Sequence, residues 1–156
     1  MTVEVNNESG VDVDLVALQQ QASYLLDRLR IHPLAELSVV LKDEPAMTEL
    51  HVRWMDEAGP TDVMSFPMDE LRPARDDAEP EEGMLGDVVI CPQVAVRQAV
   101  QAGKSLGEEL ALLLTHGILH LVGFDHAEPA ERQEMFTLQA RLLAEWEGQR
   151  TPGGRR

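Results

Sequence analysis

The segment HGILHLVGFDH, residues 116–126, contains three histidines at a spacing that suits a metal ion. His116 and His120 are four residues apart, so on a helix both rings lie on one face, with Cβ atoms about 5–6 Å apart. Gly123 follows, and glycine can adopt the left-handed conformation that turns a chain back without steric cost. His126 can then reach the same ion. The spacing therefore predicts a metal site formed by these three histidines.

Three histidine ligands are typical of a catalytic zinc site. They leave the fourth tetrahedral position open to water, whereas structural zinc sites fill all four positions with protein ligands. Zinc lowers the pKa of bound water toward about 7, which supplies hydroxide at neutral pH. We therefore expect one Zn²⁺ ion and a hydrolytic reaction, although copper, nickel and iron also accept imidazole ligands. Buried rings without partners would be costly, which favours ligands over core histidines.

Two other functions fit parts of the same segment. Its spacing is that of the metzincin peptidases, H-E-x-x-H-x-x-G-x-x-H, but Gly117 stands where those enzymes carry their general-base glutamate. Peptide hydrolysis needs that carboxylate to take the proton of the attacking water, so a peptidase is disfavoured. The other alternative is a non-catalytic protein with a structural zinc whose fourth ligand is Asp125. Direct observation of the fourth position distinguishes that protein from an enzyme.

Further site candidates carry weaker signals. Asp125 could orient a histidine ligand, but aspartate is common in turns and we favour the turn. Ser65 ends a strand before Phe66-Pro67 and is a candidate for lining a cleft. No residue is assigned as general base or nucleophile. The candidate phosphate contacts are the basic residues Arg53, Arg72, Arg75, Arg97 and Lys104.

The helix that carries the histidines has the best-defined ends in the sequence. Ser105 and Glu108 fit the S-x-x-E capping box, and the helix continues to Gly123, a natural terminator. It is apolar on nearly every face, so we expect it to be buried at the centre of the fold. A last helix is predicted at 129–147, followed by a polar tail at 148–156.

The rest of the chain predicts a small α+β fold. Alternating and β-branched residues predict strands at 2–6, 37–41, 62–66 and 84–90. Helical spacing predicts further helices at 13–30, 45–55 and 93–103. The order β-α-β-α-β-β-α-α-α corresponds to a mixed sheet of about four strands packed with about five helices, a single domain over residues 1–147.

The single cysteine and six of the methionines are predicted to lie in the core. Cys91 lies in an apolar strand, and we expect it to be buried. Methionine fills irregular gaps in hydrophobic cores, and this role is predicted for Met47, Met55, Met64, Met68, Met84 and Met135.

Composition limits the possible partners and location. The 156 residues are 44% hydrophobic and 26% charged, as in globular domains, which excludes a wholly disordered chain. The net charge of −15 argues against tight, charge-driven binding of long nucleic acid. Residues 69–82 contain seven of the 28 acidic residues, and we predict that this segment is a solvated, acidic loop. One cysteine, no signal-like start and no membrane-length apolar run predict a soluble protein of the cytoplasm.

Three segments resemble the YbeY family of bacterial rRNA-maturation endoribonucleases. Residues 116–126 are similar to its H-G-x-L-H-L-x-G-[YF]-D-H signature, and PTDVMSFP at 60–67 and LGDVVICP at 85–92 resemble two further family segments. One position departs from the family: many members have an arginine where this chain has Met55.

The resemblance implies an α+β fold and one zinc ion held by His116, His120 and His126. It also implies metal-dependent cleavage of single-stranded RNA, in 3′-end maturation of 16S rRNA and in ribosome quality control. The implied partners are single-stranded rRNA and the ribosome or its small subunit with associated proteins, and no membrane. With this resemblance, the structural-zinc alternative is a non-catalytic, ribosome-associated assembly factor.

Overall fold

A computed structural model describes residues 2–55, 59, 61–75 and 77–150. Within these residues the chain forms a four-stranded sheet and five helices. The elements are β1 (Thr2–Glu8), α1 (Leu15–Arg28), β2 (Glu36–Lys42), α2 (Glu44–Met55), β3 (Val63–Pro67), β4 (Met84–Ile90), α3 (Pro92–Ala102), α4 (Leu106–Leu121) and α5 (Pro129–Arg150). The predicted α+β fold and element order are confirmed.

The sheet is mixed, and its antiparallel strand lies at one edge. The strand order is β1-β2-β4-β3; β1, β2 and β4 are parallel, and β3 runs antiparallel to β4. The parallel pairs are joined by crossovers that contain helices, α1 between β1 and β2 and α2 between β2 and β4, whereas the antiparallel strands β3 and β4 are joined by the acidic loop that contains residues 69–82. The edge strand β3 is the strand that contacts α4 alongside β4.

Helices cover both faces of the sheet because strand side chains alternate between the faces. Val39 of β2 and Val88 of β4 face the main core, which α1 and α4 complete. Val89 points the other way and joins a smaller cluster with Met47 of α2 and Cys91. Cys91 is buried as predicted, and burial raises the pKa of its thiol.

Helix α4 is the central element, as its apolar sequence predicts. It contacts β3, β4, α1, α3 and α5. At its start the Glu108 N–H donates to Ser105 Oγ (3.1 Å) and the Ser105 N–H donates to the Glu108 carboxylate (2.9 Å), which is the predicted capping box. At its end the N–H of Gly123 donates to the His120 carbonyl and that of Phe124 to the Leu119 carbonyl. This pair of bonds is a Schellman motif.

A buried polar contact fixes the rotation of α4 about its axis. The Gln21 side-chain amide on α1 donates to the Ala111 carbonyl (2.8 Å) and to Thr115 Oγ1 (2.9 Å). Buried polar groups are costly unless they are hydrogen-bonded, so α4 cannot turn away from α1 without leaving them unpaired. Thr115 directly precedes His116, and the contact therefore sets the direction of the histidine face.

Two sequence-based expectations are corrected. Helix α5 continues to Arg150, so residues 148–150 are helical and not part of a tail; residues 151–156 of the predicted tail lie outside the described residues, and its separation from the domain stays a prediction. Met55, Met68 and Met84 are 45–58% exposed, so their assignment to the core was wrong, whereas Met47, Met64 and Met135 are buried. The three exposed methionines lie at or just beyond the ends of helices and strands, where fewer neighbouring side chains pack against them.

No helix among the described residues has both the length and the apolar character needed to cross a bilayer.

Replacing Ser105 with alanine should lower the free energy of unfolding by about 1 kcal/mol, because the first turn of α4 loses the acceptor for one backbone N–H. Denaturant unfolding followed by circular dichroism measures the change. Ser23→Ala, an exposed substitution within α1, is the matched control and should be neutral. Equal effects of the two substitutions would contradict a specific role of the capping box.

Candidate metal centre

The three predicted histidines come together at the C-terminal end of α4. One ring nitrogen of each lies within 4.8 Å of the corresponding nitrogen of the other two. The ring centroids of His116 and His120 are 4.7 Å apart, and that of His126 lies 5.6 Å from the first and 5.1 Å from the second. These residues are therefore positioned to bind a metal ion. Ligation itself stays a prediction.

The turn that brings His126 to the site depends on the backbone freedom of glycine. Gly123 has φ +105°, which other residues rarely adopt, and a Cβ there would also displace the end of the Arg72 side chain. The Schellman bonds then direct the chain back across the end of α4. The glycine turn inferred from the sequence is confirmed, whereas the likeness to metzincins remains one of spacing.

A buried glutamine fixes the orientation of one histidine. Nδ1 of His116 lies 2.9 Å from Oε1 of Gln139 on α5, and Gln139 is only 8% exposed. An amide oxygen can only accept, so Nδ1 carries the proton and Nε2 keeps its lone pair for a metal. Sequence reasoning missed Gln139, because its role depends on how α5 packs across α4.

Electrostatics favour the metal-binding form of the second histidine. Burial lowers the pKa of His120, and the neighbouring rings of His116 and His126 lower it further, against a smaller opposing effect of Asp125. The imidazole is therefore neutral at neutral pH, and only neutral histidine can ligate a metal.

Gly117 lies at the closest contact between the histidine helix and the sheet. A Cβ at this position would be 2.7 Å from Cγ1 of Val88 and 3.2 Å from Cγ2 of Val63. Across the same contact Ser65 Oγ donates to the Gly117 carbonyl (2.8 Å). There is no space here for a glutamate, so the feature that separates this chain from the metzincin pattern has a packing cause. Ser65 lines the cleft, as the sequence suggested.

The histidines open into a cleft of about 700 Å³ between β3, α4 and α5. Phe136 and Gln139 form the wall on α5, and Met55 lies at the end of α2. The carboxylates that line it already have partners: Asp62 accepts from the Val63 N–H (2.7 Å), and Glu109 forms an ion pair with Lys104 (2.9 Å).

Within the described residues, no arginine or lysine lines this cleft. Of the five predicted phosphate contacts, Arg53 pairs with Glu49 (3.2 Å) and Arg97 with Glu44 (2.7 Å), both on the surface. Lys104 pairs with Glu109, Arg72 packs over the Gly123 turn, and Arg75 is exposed in the acidic loop. None of these five cations lines the cleft, and three of them form ion pairs with glutamates.

Asp125 serves the turn. Its Oδ1 accepts from the backbone N–H of His126 (2.7 Å), and its side chain borders a separate depression together with Arg72. In the part of the chain that the structure describes, no carboxylate or thiolate joins the group of three histidines. The arrangement would thus offer an ion three imidazole ligands, the donor set of catalytic zinc sites, with no fourth protein ligand among the described residues.

Comparison with known proteins identifies the family. The family model described as Endoribonuclease YbeY matches residues 4–147. This chain belongs to the YbeY family. Among its relatives, the Endoribonuclease YbeY of Thermobifida fusca is 64% identical over 94% of each chain, and that of Acidothermus cellulolyticus is 60% identical over 99% of this chain and 97% of the relative. The resemblance inferred from the sequence is confirmed.

The fold is shared with a solved structure. A protein from Thermotoga maritima, whose structure was determined in solution, is 26% identical and superposes with a TM-score of 0.66. The match covers 94% of this chain and 90% of the other, so the α+β architecture is common to both over nearly their whole length.

Adding a methyl group at Gly117 should destabilise the protein by about 1–3 kcal/mol, because overpacking forces α4 away from β3 and β4. Denaturant unfolding of Gly117→Ala measures this. Gly107→Ala in the same helix is the matched control, since its Cβ would meet only Ser105 Oγ at 3.9 Å, and it should be neutral or stabilising by up to about 1 kcal/mol. A stable Gly117→Ala would contradict the close contact.

Gln139→Leu should weaken metal binding about 10–100-fold, because Nδ1 of His116 loses the acceptor that fixes its tautomer. Competition with a chromogenic chelator measures the affinity. Gln133→Leu, on the exposed side of α5, is the control and should bind metal as the unaltered protein does. Unchanged affinity of Gln139→Leu would show that the hydrogen bond does not orient the ligand.

Proposed function

We propose that this protein is a zinc-dependent endoribonuclease that cleaves single-stranded RNA at the cleft formed by His116, His120 and His126. The observation that carries the proposal is the convergence of three ring nitrogens within 4.8 Å of one another in an open cleft. Membership of a family described as Endoribonuclease YbeY supports RNA as the substrate. Zinc is supported by the donor set, three imidazoles without a thiolate among the described residues.

The metal would supply Lewis-acid activation of water or of a phosphoryl oxygen when it is bound. The residues of the chain perform the supporting tasks. Gln139 keeps the proton of His116 on Nδ1 and so presents Nε2 to the cleft. Burial keeps His120 neutral. The Gly123 turn holds His126 across the end of α4, so that all three rings are in place before substrate enters.

Preference for single strands follows from the shape and polarity of the site. The histidines lie within a cleft of about 700 Å³, and a single strand, whose bases are unpaired and free to turn, can bring a phosphodiester into such a cleft more easily than a rigid duplex can. A cleft without basic residues among those described, on a chain of net charge −15, provides little attraction for long RNA. Delivery by a partner removes the need for strong intrinsic binding.

The weak attraction of this cleft for RNA, which calls for a partner that delivers the substrate, supports the biological role implied by the family resemblance. In this proposal the substrate is the 3′ end of 16S rRNA in the cytoplasm, presented by the small ribosomal subunit and its associated proteins, and the same activity serves ribosome quality control.

Neither alternative has a specific observation in its favour. A structural zinc would need a fourth protein ligand, and Asp125 instead binds the His126 N–H. A metzincin-type peptidase would need a carboxylate at position 117, where Val88 and Val63 leave no space for a side chain.

The double variant His116→Ala, His120→Ala should lose bound metal and cleavage together, because one remaining imidazole cannot retain the ion. Elemental analysis of the purified protein and digestion of a single-stranded RNA, each with and without chelator, measure both. His32→Ala, outside the cleft, is the matched histidine control and should retain metal and activity. Full nuclease activity in the metal-free double variant would overturn the proposal, and metal other than zinc would correct its cofactor.

A further inference from the structure

Phe136 is an aromatic residue that the fold leaves uncovered inside the cleft. It is 42% exposed, although α5 buries its neighbour Met135 completely. Its ring is nearly parallel to those of His116 and His126, at 19° and 20°, with centroids 6.0 Å from each. A large apolar ring gains free energy by burial, so one left exposed beside a reactive centre suits a ligand that covers it.

The described lining of the cleft lacks the lysine and arginine side chains that usually bind the phosphates of a nucleic acid. Nucleic-acid affinity comes mainly from lysine and arginine on phosphates. Here the described cleft residues include neither, and Arg53, Arg97 and Lys104 each form an ion pair with a glutamate. Contacts other than phosphate pairing must therefore hold a strand in this cleft.

Phe136 is also the one aromatic side chain, other than the histidines, among the described residues that line the cleft. Tyr24 and Trp146 pack against each other at 5.6 Å, and Trp54 contacts Phe66 at 6.1 Å, outside the cleft lining. A base that enters the cleft therefore has one flat apolar surface available to it.

We propose that Phe136 is the base-stacking residue of this cleft, and that this contact holds single-stranded RNA more than charge does. The inference rests on the proposed endoribonuclease function and specifies how that site recognises its substrate. A base stacked on Phe136 lies beside the histidine cluster, because the Phe136 ring centroid is 6.0 Å from those of His116 and His126. Stacking on an aromatic ring accepts every base, so it gives affinity for single strands without a strong sequence requirement.

Binding is tested with a fluorescein-labelled single-stranded oligoribonucleotide and a series of copies, each lacking the base at one position. Chelator stops metal-dependent turnover, and fluorescence anisotropy gives the Kd. Phe136→Ala should raise the Kd for the complete strand about 5- to 150-fold, the usual cost of losing one base–aromatic stack. Phe136→Trp should restore binding, and Leu34→Ala, an exposed apolar residue outside the cleft, should not change it.

The base-deleted strands distinguish stacking of Phe136 on a base from a structural role in which the ring only supports the histidines. In the unaltered protein, removal of one particular base should weaken binding as much as Phe136→Ala does, and the variant should no longer respond to that removal. In the metal-loaded enzyme, Phe136→Ala should raise KM with little change in kcat, because stacking contributes equally before and during the reaction.

Salt dependence tests the statement about charge. Raising KCl from about 50 to 200 mM should raise the Kd by less than about tenfold, whereas a protein that holds a single strand by 6–10 phosphate contacts loses roughly several hundred-fold to ten-thousand-fold in affinity.

Three results would overturn the inference: an unchanged Kd in Phe136→Ala, equal loss for complete and base-deleted strands, or a steep salt dependence. Loss of metal content in Phe136→Ala with unchanged Kd would show that the ring only supports the histidines. Failure of the unaltered, metal-loaded protein to cleave RNA would overturn the proposed function instead, and the chelator-based binding comparison would still decide whether Phe136 stacks with bases.

Discussion

The site depends on the contact between α4 and the edge of the sheet at Gly117. With no side chain between them, the helix backbone lies directly against Val88 and Val63, and Ser65 binds the Gly117 carbonyl. This contact sets the distance between the histidine face and the strand that forms the opposite wall of the cleft. The capping box and the Gln21–Thr115 hydrogen bond then fix where the helix starts and how it is rotated.

Local patterns in the sequence were sufficient to predict the start of α4, the histidine pair on it and the turn that follows it. The capping box, the His116–His120 spacing and the Gly123 turn each involve residues within a few positions of one another, so helix geometry alone relates them. Gln139 and Phe136 carried no such signal, since α5 brings them to the site through packing. The cations show the same limit: Arg97 finds Glu44 across 53 positions, so no local pattern could tell a paired arginine from one free to bind phosphate.

The exposed methionines show why composition misleads at element ends. Residue type indicates which side chains prefer burial, but Met55 is the last residue of α2 and lines the cleft, with half of its surface exposed. Met55 thus adds an apolar side chain to a cleft whose described lining contains no cation. Affinity for RNA in this cleft must then come mainly from short-range contacts, such as the proposed stacking on Phe136, with little long-range attraction.

The packing of Arg72 over Gly123 joins two parts of the chain that are distant in sequence. Arg72 belongs to the acidic segment between β3 and β4, and Gly123 belongs to the turn that carries the third histidine. Ordering of the segment and ordering of the turn are therefore thermodynamically coupled. Any contact that fixes His126 therefore also favours the position of Arg72 over the turn, so a substitution in one segment is felt in the other.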